Sequence, residues 1–111
     1  MKTDDVKIVE LNIPQEFGTK TGFRTYSDGP KSGQEFYDTL LKDRFQMAVD
    51  SHSKLCIYFD GGEGYTSSFI NESFRRLAID FNPDLVWKKL ILVANEYPRM
   101  RRKVNAAIYG N

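Results

Sequence analysis

Apolar positions first show a pattern between residues 6 and 13, where Val6, Ile8, Leu11 and Ile13 mark one face with a slip at Val9. A period near two predicts a strand with one side inward, and Pro14, which cannot donate to a ladder, ends it. Residues 18 to 30 are rich in Gly, Thr, Ser and Asp, with Phe23 and Tyr26 embedded. That stretch predicts a second short strand, Gly22 to Tyr26, closed by a turn at Ser27-Asp28-Gly29-Pro30. The period then changes. Ser32-Gly33-Gln34-Glu35 has capping-box spacing, in which the serine hydroxyl accepts from the third N–H and the glutamate reaches back. Phe36, Tyr37, Leu40, Leu41, Phe45, Ala48 and Val49 follow at helical spacing and predict a helix to about Val49. Arg44 falls inside that face, as a snorkelling or ion-paired cation or as a binding residue.

Lys54 to Phe59 is continuously apolar after its first residue, which predicts a strand covered on both faces. A glycine loop follows from Asp60 to Tyr65. Ser67 or Ser68 is expected to cap a helix running to about Asp80, with Phe69, Ile70, Ser73, Phe74, Leu77 and Ala78 inward. Asn82-Pro83 stops it. Leu85 to Ala94 contains another strand, most clearly Lys89 to Val93. Asn95 is expected to cap a last helix, Glu96 to about Tyr109, whose inner stripe is Tyr97, Met100, Val104, Ala107 and Ile108, ended by Gly110. The expected order is β-β-α-β-α-β-α: an α/β domain with a mixed, mostly parallel sheet of about four strands, about three helices and right-handed crossovers. Sheet edges near Val6 and Leu90 offer places for a second copy to pair.

Composition narrows the picture. The 111 residues suit one domain, 1–111, and 41% apolar with 14% aromatic residues can fill one core. A formal net charge of +1 provides no global field toward nucleic acid or an anionic membrane. Leu90 to Ala94, as long as any apolar run in the chain, is far short of a bilayer span, and Met1-Lys2-Thr3-Asp4-Asp5 lacks the apolar stretch of a secretory signal. Cys56 is the single cysteine and cannot form an internal disulfide. A cytoplasmic, membrane-free protein is expected.

Candidate chemistry concentrates after the apolar strand, because open α/β sheets meet ligands and partners at the carboxyl ends of their strands. Asp60, Gly61, Gly62, Glu63 and Gly64 form a loop, and Thr66, Ser67 and Ser68 stand where a helix begins, with Asn71 one turn further on. A helix start has unpaired N–H groups and about half a unit of positive charge, which favours anions. A phosphoryl group there would be supported by about 0.3–1 kcal/mol and would add up to about two negative charges to a contact surface. Plain capping by one of the hydroxyls accounts for the same residues.

Other groupings point to less. Asp60, Glu63 and Glu72 are of a type that suits Mg²⁺, yet isolated acids in a glycine loop are ordinarily solvated. No Gly-Lys-Ser/Thr follows the glycines, and no Gly-x-Ser-x-Gly surrounds the serines. His52 lies in a polar connection, while Cys56 lies in an apolar strand that disfavours a thiolate. No metal, no cofactor and no enzymatic activity are expected. Arg99, Arg101, Arg102 and Lys103 form a basic cluster on the last helix, read as a solvated face, with an acidic protein surface or nucleic acid as weaker alternatives. Aromatic residues for base stacking do not interleave with it.

Ser32-Gly33-Gln34-Glu35-Phe36, the strand Leu55 to Asp60, and Gly64-Tyr65-Thr66-Ser67-Ser68-Phe69-Ile70-Asn71-Glu72-Ser73-Phe74 together resemble the bacterial STAS-like family of unassigned function. Phe17, Gly18 and Arg24 extend the resemblance, which covers roughly residues 6 to 94. That family looks like a relative of the STAS domains of anti-sigma factor antagonists and sulfate transporter tails. In the antagonists a serine at the start of the corresponding helix is phosphorylated by a GHKL-type kinase, which releases the partner. The resemblance implies Ser68 at that position, with Ser67 beside it, and a histidine-kinase-like ATP-binding protein as partner. Thr66 and Phe69 depart from the antagonists' Asp-Ser-Ser-Gly, and Arg75-Arg76 replaces a small residue common in relatives. The expected function is a non-enzymatic regulatory or partner-binding module, switched by phosphorylation at the helix start. The alternative is a small-anion or nucleotide binder using the same helix N-terminus, and a weaker one is nucleic-acid binding through Arg99 to Lys103.

Overall fold

The computed structural model describes residues 7–110; Val6 and the polar stretch Met1 to Asp5 lie outside them. Strand β1 (Ile8–Asn12) runs directly into a one-turn helix, α1 (Ile13–Glu16). The Asn12 side chain accepts from the Gln15 N–H at 3.0 Å, and Pro14 sits in the first turn, where a missing N–H costs nothing.

Helix α2 spans 33–50. It begins as an α-helix (Gly33–Phe36), widens to a π-helix (Tyr37–Leu41) and returns to α over Lys42–Asp50. Ser32 caps it, accepting from the Glu35 N–H at 3.0 Å. The Glu35 carboxylate, however, accepts from the Lys31 N–H at 2.9 Å and not from that of Ser32. Phe36, Tyr37, Leu41, Phe45 and Ala48 are buried as their spacing predicts, with Leu40 and Val49 packed at the margin.

The remaining elements are β2 (Lys54–Tyr58), α3 (Ser67–Phe81), α4 (Pro83–Lys89), β3 (Leu90–Val93) and α5 (Met100–Tyr109). The sheet has three strands in the order β1-β2-β3, both pairings parallel, with Leu11 opposite Ile57 and Ile57 opposite Leu92. Strand alternation puts Val9, Leu11, Leu55, Ile57, Leu90 and Leu92 on one face, which joins the core. Helix α2 packs on β1, on β2 and on α3, and α3 packs on α5, so the helices share one layer. The rings of Phe36 and Phe69 stack there with centroids 5.4 Å apart, and Phe17 meets Phe36 edge-on at 5.3 Å.

Several expectations are corrected. The sheet is three-stranded and wholly parallel among the described residues, not four-stranded and mixed. Gly22 to Tyr26 forms no strand, because its polar groups satisfy the start of α2 instead of a ladder. The Gly33 N–H donates to the Phe23 carbonyl at 2.8 Å and the Gln34 N–H to the Arg24 carbonyl at 3.0 Å. Those N–H groups have no acceptor within their own helix. Coverage of β2 on both faces also fails, since the helices lie on one side. On the other side Ile8, Glu10, Tyr58, Ile91 and Val93 stay partly or fully exposed, and only Cys56 is buried. Leu85 to Lys89 is helical: Asn82 caps α4 through the Leu85 N–H at 3.1 Å, so β3 begins only at Leu90. Asn95 caps nothing. Residues 95–99 turn, α5 starts at Met100 without a side-chain cap, and Gly110 ends it in the left-handed conformation at φ 74°.

Candidate functional site

Strand β2 delivers the chain to the glycine loop, which is tied down along its length. The Asp60 carboxylate accepts from the N–H groups of Asn95 (2.9 Å) and Glu96 (2.8 Å), joining the end of β2 to the end of β3. The Gly61 N–H donates to Glu96 Oε1 at 2.9 Å, the Glu63 N–H to the Thr19 carbonyl at 2.8 Å, and Thr21 Oγ1 to the Gly64 carbonyl at 3.1 Å. Tyr97 donates to the Gly62 carbonyl at 2.6 Å, and buried Tyr65 to the Phe59 carbonyl at 2.6 Å. Burial first, and then nearby Tyr97 and acidic groups, push the Tyr65 phenol up, so it remains a neutral donor. Gly61, at φ 98°, has backbone that side chains rarely adopt. Gly62 is needed for a different reason: a Cβ there would collide with the Tyr65 hydroxyl.

Thr66, not Ser67 or Ser68, caps α3. Its Oγ1 accepts from the Phe69 N–H at 3.1 Å and donates to the Gly22 carbonyl at 2.6 Å. Extended backbone at residue 66 aims the hydroxyl over the first turn, whereas Ser67 and Ser68 are already helical and their side chains point outward. Ser67 is exposed and Ser68 half-buried. The Ser68 hydroxyl accepts from Arg24 Nη2 at 3.1 Å. Neither Ser67 nor Ser68 has an acceptor for its backbone N–H among the described residues. The six residues inward on α3 are all buried, so Phe69 and Ile70 anchor this exposed helix start in the core.

Asp60, Glu63 and Glu72 do not converge. Asp60 serves the two backbone N–H groups, Glu63 accepts from Thr19 at 3.4 Å, and Glu72 pairs with Arg76 at 3.1 Å. Among the described residues no group of three acids, histidines or cysteines is placed to hold a metal. Arg44 is ion-paired: its guanidinium meets Glu16 at 2.6 Å and donates to the Glu10 carbonyl. Asn71 is exposed on α3, on the side of Arg75.

Arg99, Arg101, Arg102 and Lys103 are exposed. Tertiary structure adds an aromatic that the linear cluster lacks: the Arg101 guanidinium lies 4.7 Å from the centre of the Trp87 ring. Arg24 and Trp87 are the residues that sequence reasoning did not attach to these sites. Arg24 lies 44 positions from Ser68, and no periodicity links a loop residue to a distant helix.

A protein-family model described as a STAS-like domain of unknown function matches residues 32–98. The match spans α2, β2, the glycine loop, α3, α4 and β3, and leaves outside it β1, Phe17, Gly18, Arg24 and α5. Neither the curated proteins nor the solved structures contain a match to the chain.

Proposed function

The chain belongs to the family of STAS-like domains of unknown function, and on that premise we propose that it is a non-enzymatic regulatory module that docks a protein partner through residues 61–71. The observation that carries this reading is the division of labour at the start of α3. Thr66 performs the capping, which leaves the Ser67 hydroxyl exposed and the half-buried Ser68 hydroxyl engaged by Arg24, both released from the cap for modification or contact. The glycine loop beside them is held by bonds from residues 19, 21, 96 and 97 and presents a preorganised edge, which lowers the ordering cost of docking.

The departures from Asp-Ser-Ser-Gly have physical equivalents. Threonine and aspartate are both good N-cap residues, so Thr66 can do the structural work of the acid. Phe69 adds a ring buried against Phe36 where glycine would add nothing. A phosphate on Ser68 would bring up to about two negative charges onto the edge and repel an acidic partner surface. The group touching Ser68 is a guanidinium, which cannot take a proton, and this supports a modification site over a catalytic nucleophile. A histidine-kinase-like ATP-binding protein is the partner this reading favours.

The test is affinity capture with wild type, Ser68→Ala and Ser68→Asp, read by mass spectrometry, with phosphopeptide mapping of residues 66–68. Loss of an ATP-binding kinase-like protein from the Ser68→Asp sample alone is the expected result. Identical partner sets across all three remove Ser68 from the switch.

A further inference from the structure

Behind Ser68, on the outer face of α3, lies a cavity of about 550 Å³ between that helix, the loop carrying Arg24 and the end of α5. Three arginines line it: Arg24 from the loop, and Arg75 and Arg76 from α3. Among the described residues its only carboxylate is Glu72, already paired with Arg76 at 3.1 Å. Arg24 and Arg75 have no carboxylate partner among the described residues. The described lining residues therefore carry a net charge of about two positive units beside polar Asn71, a setting for an anion and not for an apolar ligand.

Both unpaired guanidiniums are positioned by neighbours. Arg24 donates to Ser68 Oγ at 3.1 Å. Arg75 lies against Gly110, where a Cβ would come within 2.6 Å of Nη1. The left-handed glycine that ends α5 thus also leaves room for the arginine. Guanidinium is the side chain best matched to phosphoryl oxygens, because its planar fork donates two parallel hydrogen bonds.

We propose that the Arg24–Arg75–Arg76 cavity binds a phosphate monoester, whose charge of about −1.5 to −2 at neutral pH complements the lining. The site adjoins the partner-docking edge, sharing Asn71 and meeting Ser68 through Arg24, and the proposal stands whether or not a partner docks there. Its phosphoryl group can come from a free ligand or from Ser68 itself.

Titration of the unmodified protein with inorganic phosphate and O-phosphoserine at constant ionic strength, followed by phosphorus NMR and calorimetry, addresses the first source. Protein carrying genetically installed phosphoserine at position 68, without added ligand, addresses the second. Each arm uses wild type, Arg24→Gln, Arg75→Gln and, as a charge control, Lys42→Gln. Arg24→Gln and Arg75→Gln are expected to weaken free-probe binding about tenfold each, the loss of one charge-assisted contact, with Lys42→Gln unchanged. That result assigns the cavity to a free ligand. Silence with the probes, but a phosphoserine-68 resonance and pKa that move in Arg24→Gln and Arg75→Gln, assigns it to the chain's own phosphate. No response to either arginine variant in either arm, or an equal loss from Lys42→Gln, overturns the proposal.

Discussion

Thr66→Ala isolates the contact on which the candidate site is built. The substitution removes an oxygen that accepts from the Phe69 N–H at 3.1 Å and donates to the Gly22 carbonyl at 2.6 Å. Loss of an N-cap costs about 0.5–2 kcal/mol, typically about 1. The second bond, which ties the loop around Gly22 to α3, is worth about 0.5–1 kcal/mol, at the lower end because position 66 is exposed and water can replace it. The sum is about 1–3 kcal/mol, equivalent to a Tm lower by roughly 4–13 °C for a domain of this size. Thr66→Ser keeps both bonds and should stay within about 0.5 kcal/mol of wild type. Ser67→Ala and Ser68→Ala remove no cap and should do the same. Urea unfolding with a shared m-value measures all four. If Ser68→Ala costs as much as Thr66→Ala, or Thr66→Ala costs less than about 0.5 kcal/mol, the capping assignment is wrong and the serines are not free.

Three further outcomes follow from the packing and charges. Gly33→Ala should destabilise by about 1–3 kcal/mol despite alanine's higher helix propensity, because a Cβ would sit 2.6 Å from the Phe69 carbonyl oxygen and push α2 off α3; an unchanged Tm refutes this. Asp60→Ala should cost about 1–2 kcal/mol and speed amide exchange at Asn95 and Glu96, whose N–H groups lose their acceptor; unaltered exchange there counts against the clamp. Glu16 is held below its ordinary value of 4.5, first by the hydrogen bond from Arg44. A depressed folded-state pKa contributes stability above the unfolded value, and that stability is lost as pH falls through the folded one. Glu16→Gln should therefore flatten the decline in stability below about pH 4.5, and an acid limb identical to wild type refutes it.

Local pattern made most of the helical architecture legible. The inward faces of α2 and α3 match the buried residues because burial on a helix follows from spacing along a single element. The segment from Gly22 to Tyr26 misled because Phe23 and Tyr26 between turn-forming residues suggest a short strand, but the segment's bonding partner is a helix start brought in by the fold. The residues around Asn95 misled in the opposite way: a good capping residue stands there, yet Asp60 draws the local N–H groups into a turn. At the candidate site the hydroxyl cluster was visible as a motif, but which oxygen caps depends on whether residue 66 or 67 is the last extended one.

The chain by itself determined the elements whose residues are near neighbours in sequence: the amphipathic helices, the apolar β2, the glycine loop and the position of the hydroxyls after it. Only the tertiary structure decided that all helices lie on one side of a three-stranded parallel sheet, that Asp60 clamps β2 to β3, and that Arg24 meets Ser68 while Arg75 rests on Gly110. The reason is that periodicity encodes which side of an element is buried, whereas convergence of loop, helix and helix end depends on contacts between distant positions. No local pattern records those contacts.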